Sequence, residues 1–144
     1  MIGIGCIGMS GIAYFLLQNG AKVSGCDKNP NSLTEKLAEA GVEIFRRHDA
    51  SHISSATDLV VYSSAIKENL PEILQASRLG IPVWKRAQMI ASLTDGYKYI
   101  AVTGTHGKTT VSFMITHILI KAGLSPSFII GGQAPELGGN AYLG

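Results

Sequence analysis

Two glycine-rich stretches in this chain carry the residue types that bind phosphate. The first, Gly3-Ile4-Gly5-Cys6-Ile7-Gly8, has the spacing G-x-G-x-x-G between a short apolar run and a segment that reads as a helix. In that setting Gly3 permits a tight turn, Gly5 lets a diphosphate approach the backbone, and Gly8 lets helix and strand pack closely. The helix N-terminus then offers unpaired amides and a partial positive charge to the phosphates. Asp27 lies nineteen residues beyond Gly8 at the end of a second apolar run, where an acidic side chain bonds a ribose hydroxyl. The alternative reading of Asp27 is a turn former ahead of Lys28. The second stretch, Gly104-Thr105-His106-Gly107-Lys108-Thr109-Thr110, has the composition of a triphosphate cradle. Its amides would enclose phosphate oxygens, Lys108 would bridge the β and γ groups, and the Thr109 hydroxyl would ligate Mg²⁺. It lacks the first glycine of G-x-x-x-x-G-K-[ST], since Val102 stands five residues before Gly107.

These loops need strands to feed them and helices to follow. The chain reads as strand, glycine turn and helix, repeated. "MIGI" is a first buried strand and residues 8–19 a helix stopped at Gly20. "KVSGCD" is the second strand, and Ser32 with Glu35 forms a capping box for a second helix. "VEIF", residues 58–62 and "IPVWK" are further strands, separated by a helix that starts near Pro71 and ends before Gly80. A short helix, "RAQMIASL", follows the last of them. This alternation predicts a parallel sheet covered on both faces. After a boundary at residues 94–97, "KYIAVT" reads as a strand, residues 108–122 as a helix apolar nearly all round and therefore buried, and "SFIIGG" as a strand. The last dozen residues read as loop.

Composition narrows the classes of partner. The chain has 144 residues, 46% hydrophobic and 15% charged, which suits packed globular structure rather than disorder. A formal charge of +2 is too small to imply nucleic acid or an anionic membrane. There is no long uncharged apolar run for a membrane span and no basic leader for a signal peptide, so a cytoplasmic location is expected. Cys6 and Cys26 lack C-x-x-C spacing, so a reduced pair and no zinc site are expected. No metal pair is expected of His48, His52, His106 and His117.

"GIGCIGMSGIA", "VSGCD", "VVYSSAI", "GIPVWKRAQMI", "VTGTHGKTT" and "FIIGG" together resemble the Mur ligases. These are ATP-dependent amide ligases, related to the folylpolyglutamate synthetases, that work through acyl phosphates and share the shortened phosphate loop. The resemblance implies an α/β chain: a Rossmann-like parallel-sheet domain holding a UDP-sugar at residues 1–95, then the beginning of a P-loop α/β ATP-binding domain at 96–144. It implies ATP and Mg²⁺ as cofactors, with UDP-N-acetylmuramate and L-alanine as substrates in peptidoglycan precursor synthesis. Gly3, Gly5, Gly8, Met9, Ser10 and Gly11 would surround the diphosphate, and Asp27 would contact the uridine end. Ser63 and Ser64 would line the same cleft, with Arg86 and the His48–Asp49 pair as further candidates. Arg86 equally reads as a surface cation, and the His48–Asp49 pair as a helix cap. Gly104, Thr105, His106, Gly107, Lys108, Thr109 and Thr110 would hold ATP, with Lys108 and Thr109 in the catalytic role.

Cys6 stands where the family usually has glycine, which narrows the backbone choices of the first loop. The family's acidic metal ligand and third domain are expected beyond residue 144, so the segment reads as the amino-terminal part of a larger ligase. A recycling ligase that attaches peptide to UDP-N-acetylmuramate, an NAD-binding oxidoreductase domain and a non-catalytic nucleotide sensor are the rival readings.

Overall fold

The computed structural model describes all 144 residues. Its frame is a parallel sheet with the chain start at the centre. Strands β1 (Ser24–Cys26) and β2 (Glu43–Phe45) pair on one side, β3 (Val60–Tyr62) and β4 (Val83–Lys85) on the other. Ile2 bridges β1 at Cys26 and β3 at Tyr62, joining the halves in the order β2-β1-Ile2-β3-β4. The expected first strand "MIGI" is thus reduced to a single bridging residue. Its backbone bonds run both ways: the Ile2 amide donates to Val61 O at 2.8 Å and the Cys26 amide to Met1 O at 2.9 Å.

Side chains alternate across this sheet as strand geometry requires. Val60 and Tyr62 join Ile2, Cys26, Ile73 and Ala76 on one face, under helix α3 (Pro71–Arg78). Val61 faces the other way, against Met9 and Ile12 of helix α1 (Ile7–Gln18) and Met89 of helix α4 (Arg86–Thr94). Helix α2 (Ser32–Glu39) adds Leu37 to a cluster with Ile4, Ala13 and Val42. The expected capping box sits one residue earlier than read. Asn31 is the N-cap and accepts from the Leu33 and Thr34 amides, while Thr34 Oγ1 accepts from the Asn31 amide at 2.8 Å. Asn has both the extended backbone and the short acceptor a cap needs, so it displaces Ser32 from that role.

Beyond residue 95 the expectations need three corrections. Residues 98–103 form no strand, and Tyr97, Tyr99 and Ile100 are exposed. Helix α5 (Lys108–Lys121) is therefore not buried: among its residues only Thr116 is, while Val111, Met114, Ile118 and Ile120 face solvent. With no neighbouring strand there is no sheet to cover its apolar surface. The terminal residues are not all loop. Strand β6 (Ala141–Tyr142) pairs antiparallel with β5 (Phe128–Ile129), with a 3-10 turn at Pro135–Leu137 between them. This hairpin lies on α1, where Asn140 Nδ2 donates to Ile7 O at 2.8 Å and the Leu143 amide donates to Gln18 Oε1 at 2.9 Å.

Candidate functional site

The first glycine loop is held from both sides. Gly3 has φ +75°, in the left-handed region that favours glycine, and turns the chain away from the sheet. The Gly5 amide then donates to Asp27 Oδ2 at 2.9 Å, and the Gly5 carbonyl accepts from Asn31 Nδ2 at 3.0 Å. A Cβ on Gly5 would stand 2.8 Å from Asp27 Oδ2 and 3.1 Å from Thr34 Cγ2, so this clamp needs glycine. The other Asp27 oxygen accepts from the Asn29 amide at 3.0 Å. Asp27 thus spends its carboxylate on the loop and on its own turn.

Past the clamp, α1 begins without a cap. Its N-cap residue Cys6 makes no side-chain cap bond, and the Ile7 and Gly8 amides have no backbone partner. The first amides satisfied along the helix are those of Met9 and Ser10, both bonded to Cys6 O at 2.9 Å. The Arg86 guanidinium crosses this helix end, 2.6 Å from where a Gly8 Cβ would be. Two free amides, a helix N-terminus and a guanidinium make a local anion site. Ser63, buried at the carboxyl end of β3, lies beside it with Oγ 3.9 Å from Cys6 Sγ, and Ser64 is exposed at the same edge.

The remaining first-loop candidates point elsewhere. Met9 is fully buried in the core, and the buried Ser10 Oγ donates to Ile7 O at 2.9 Å. Gly11 faces the terminal hairpin, where a Cβ would stand 3.1 Å from Asn140 Nδ2. His48 turns inward to Glu72, and Asp49 caps the 3-10 turn Ala50–His52 by accepting from the Ser51 amide. Near the same edge, Glu68 Oε1 accepts from Tyr62 Oη at 2.7 Å and pairs with Lys85 Nζ at 3.1 Å.

The second loop is open. Residues 104–110 are all exposed, and Gly107, the N-cap of α5, has φ +78° with no side-chain cap bond. Lys108 Nζ donates to Gly104 O at 2.5 Å and Thr105 O at 3.2 Å, so the ammonium lies over the loop's own carbonyls. Thr109 is packed against the strand end that follows β5: a Cβ on Gly132 would stand 2.5 Å from Thr109 Cγ2 and 3.2 Å from Oγ1. An uncapped helix start, a lysine and a threonine hydroxyl fit a phosphate chain carrying Mg²⁺. Glu136 lies in the exposed turn at Pro135–Leu137 and joins no cluster of metal-binding side chains.

Sequence reading missed one grouping. Cys26, His48 and Glu72 come from β1, the segment after β2, and α3, and their donor atoms lie within 4.8 Å of one another. His48 and His52 stand four residues apart, a spacing that could have signalled convergence, and both reach Glu72. Glu72 is 1% exposed. Burial works against its ionisation, but bonds from its backbone amide, Cys26 and His48 outweigh that and hold the carboxyl below its ordinary value. Burial, then the hydrogen bond and charge of Glu72, push the Cys26 thiol up to about 12.

A parallel sheet whose central segment feeds a clamped glycine turn and an uncapped helix is the layout of the doubly wound α/β proteins. The chain belongs to the Mur ligase family: the family described as "Mur ligase family, catalytic domain" matches residues 1–98. It is similar to the UDP-N-acetylmuramate–L-alanine ligases of Gloeobacter violaceus and Aquifex aeolicus, at 49% and 51% identity over 143 residues, covering 99% of this chain and 31% of each relative. Among solved structures, the UDP-N-acetylmuramate–alanine ligase of Thermotoga maritima superposes with a TM-score of 0.92 at 34% identity, covering 99% of this chain and 34% of that one. The UDP-N-acetylmuramate:L-alanyl-γ-D-glutamyl-meso-diaminopimelate ligase of Neisseria meningitidis gives 0.88 at 31% identity, covering 97% and 44%. The chain spans about a third of the length of the curated relatives it matches. No helix is long and apolar enough to cross a membrane.

Proposed function

We propose that this chain is the amino-terminal part of an ATP-dependent ligase that joins L-alanine to the lactyl carboxylate of UDP-N-acetylmuramate. The observation that carries the reading is the end of α1: two unpartnered amides at Ile7 and Gly8, covered by Arg86, behind a loop fixed to Asp27. That arrangement supports a seat for a diphosphate, and the similarity to UDP-N-acetylmuramate–L-alanine ligases supports a UDP-sugar as its ligand.

Residues 1–95 hold the UDP-sugar in this reading, and residues 96–144 begin the unit that holds ATP. The lactyl carboxylate attacks the γ-phosphorus of ATP and displaces ADP; the amine of L-alanine then attacks the carbonyl carbon of the acyl phosphate, displacing inorganic phosphate and giving up a proton. No side chain need act as a covalent nucleophile. Lys108 leaves the Gly104 and Thr105 carbonyls and pairs with phosphate oxygens, while amides at the start of α5 take the charge that develops on the transferred group. Thr109 Oγ1 would be the ligand that residues 96–144 offer to Mg²⁺, which would supply charge neutralisation on the phosphates.

A binding titration of the chain with UDP-N-acetylmuramate, NAD and ATP tests the reading. Saturable UDP-N-acetylmuramate binding that Arg86→Ala weakens supports it, and preferential NAD binding overturns it. Turnover of a ligase of the relatives' full length carrying this segment separates L-alanine from L-alanyl-γ-D-glutamyl-meso-diaminopimelate as the acceptor amine. A preference for the peptide would move the assignment to the peptide-joining activity that the Neisseria meningitidis relative's name describes.

A further inference from the structure

The buried grouping of Cys26, His48 and Glu72 has the donors and spacing of a metal site. Cys26 Sγ lies 3.4 Å from His48 Nδ1 and 3.2 Å from Glu72 Oε1, and His48 Nδ1 lies 3.0 Å from the same oxygen. A triangle with those sides has a circumradius of about 1.9 Å, so a point about 1 Å above its plane lies about 2.1 Å from all three donors, within the range of zinc–ligand bonds. Opening the sulfur edges by about 0.2 Å accommodates the longer Zn–S bond.

Hydrogen bonding alone leaves this cluster incomplete. Glu72 Oε2 and His52 Nδ1 are buried with no hydrogen-bond partner. His52 Nδ1 lies 3.5 Å from Glu72 Oε1, and its ring is fixed by stacking on Phe45 at 3.9 Å between centroids. Buried polar atoms without partners are rare in folded proteins, and a bound ion is one of the few things that explains a pair of them. We infer that Cys26, His48 and Glu72 form a binding site for a borderline-soft divalent cation of the zinc type, with His52 packed beside Glu72. The donor set of one sulfur, one imidazole and one carboxylate selects zinc over magnesium or calcium. A thiolate and a carboxylate would together balance the charge of the ion, so the buried site would be neutral. Binding displaces the Cys26 proton to solvent; the positive ion offsets the burial that otherwise keeps the thiol protonated. The ion would tie β1, the segment after β2 and α3 together immediately behind Asp27, the residue that clamps the glycine loop. It is separate from the Mg²⁺ that accompanies ATP.

The test uses the chain carrying Cys6→Ser, so that Cys26 is the only thiol, under reductant and free of nucleotide. Cobalt(II) is the probe. The expected result is one cobalt per chain, a thiolate-to-cobalt charge-transfer band in the near ultraviolet, and displacement by one equivalent of zinc. Adding Cys26→Ser should abolish the band and weaken zinc binding at least about tenfold, with circular dichroism confirming the fold. Glu72→Gln should weaken binding while the band is retained at higher cobalt. Should Cys26→Ser fail to fold, the band in the Cys6→Ser protein decides alone. No band in that folded protein, or a band that survives Cys26→Ser, overturns the assignment and leaves a hydrogen-bonded cluster only.

Discussion

Removing the Asp27 carboxylate isolates the clamp on the first glycine loop. In Asp27→Ala two acceptors vanish, but they are not equivalent. Asn29 is exposed, so its amide regains water at little cost. Gly5 is buried, and its amide, now bonded at 2.9 Å to a charged oxygen, is left without a partner. A buried amide stripped of a charge-assisted bond costs about 2 kcal/mol, which is roughly a thirtyfold change in the folding constant. Asp27→Asn keeps an acceptor facing Gly5 and should cost about 1 kcal/mol or less. Urea unfolding followed by far-ultraviolet circular dichroism measures both. UDP-N-acetylmuramate affinity should fall about tenfold in folded Asp27→Ala, because the freed loop must be ordered again on binding. A cost below about 0.5 kcal/mol for Asp27→Ala, or an Asn variant as damaging as Ala, would mean that the Gly5 bond is not what the carboxylate supplies.

Three further outcomes are expected. In a ligase of the relatives' full length, Lys108→Ala should remove ATP-dependent turnover and leave UDP-N-acetylmuramate binding within about threefold, as the two loops share no partners; loss of sugar binding in a folded variant would contradict the two-site division. Saturating UDP-N-acetylmuramate should slow alkylation of the exposed Cys6, while the buried Cys26 stays slow with or without it; unchanged Cys6 labelling at saturation would place the diphosphate elsewhere. The Cys26 thiol is raised by burial and by Glu72 from 9.0 to about 12, so the fold favours its protonated form. Its contribution is therefore complete below about pH 9 and lost as pH rises toward 12. With chelator present, the urea midpoint should fall through that window more steeply in the parent than in Cys26→Ser, and parallel curves would refute it.

Local chemistry made much of this protein legible before folding. Strand, glycine turn and helix alternate, so α1, α3 and α4 and the strands around them follow from apolar runs, Pro71 and the stopping glycines. The two glycine loops were visible for the same reason: what marks them is glycine spacing and one or two side chains close in sequence. The capping box was displaced by one residue because Asn31 competes with Ser32 for the same role.

What the sequence left open depends on neighbours far along the chain. Residues 98–103 have the composition of a strand, but a strand forms only where another edge pairs with it, and none lies beside it here. The exposure of α5 follows directly, since an apolar helix is buried only when a sheet is present to receive it. Conversely, Ala141 and Tyr142 read as loop and became a strand because Phe128 and Ile129 supply an edge. The assignment of Asp27 to the Gly5 amide and the meeting of Cys26, His48, His52 and Glu72 were equally invisible. Apart from His48 and His52, whose spacing was the one local signal, those residues are separated by tens of positions and share no motif. Only the parallel winding of the sheet brings the end of β1, the segment after β2 and the start of α3 to one place.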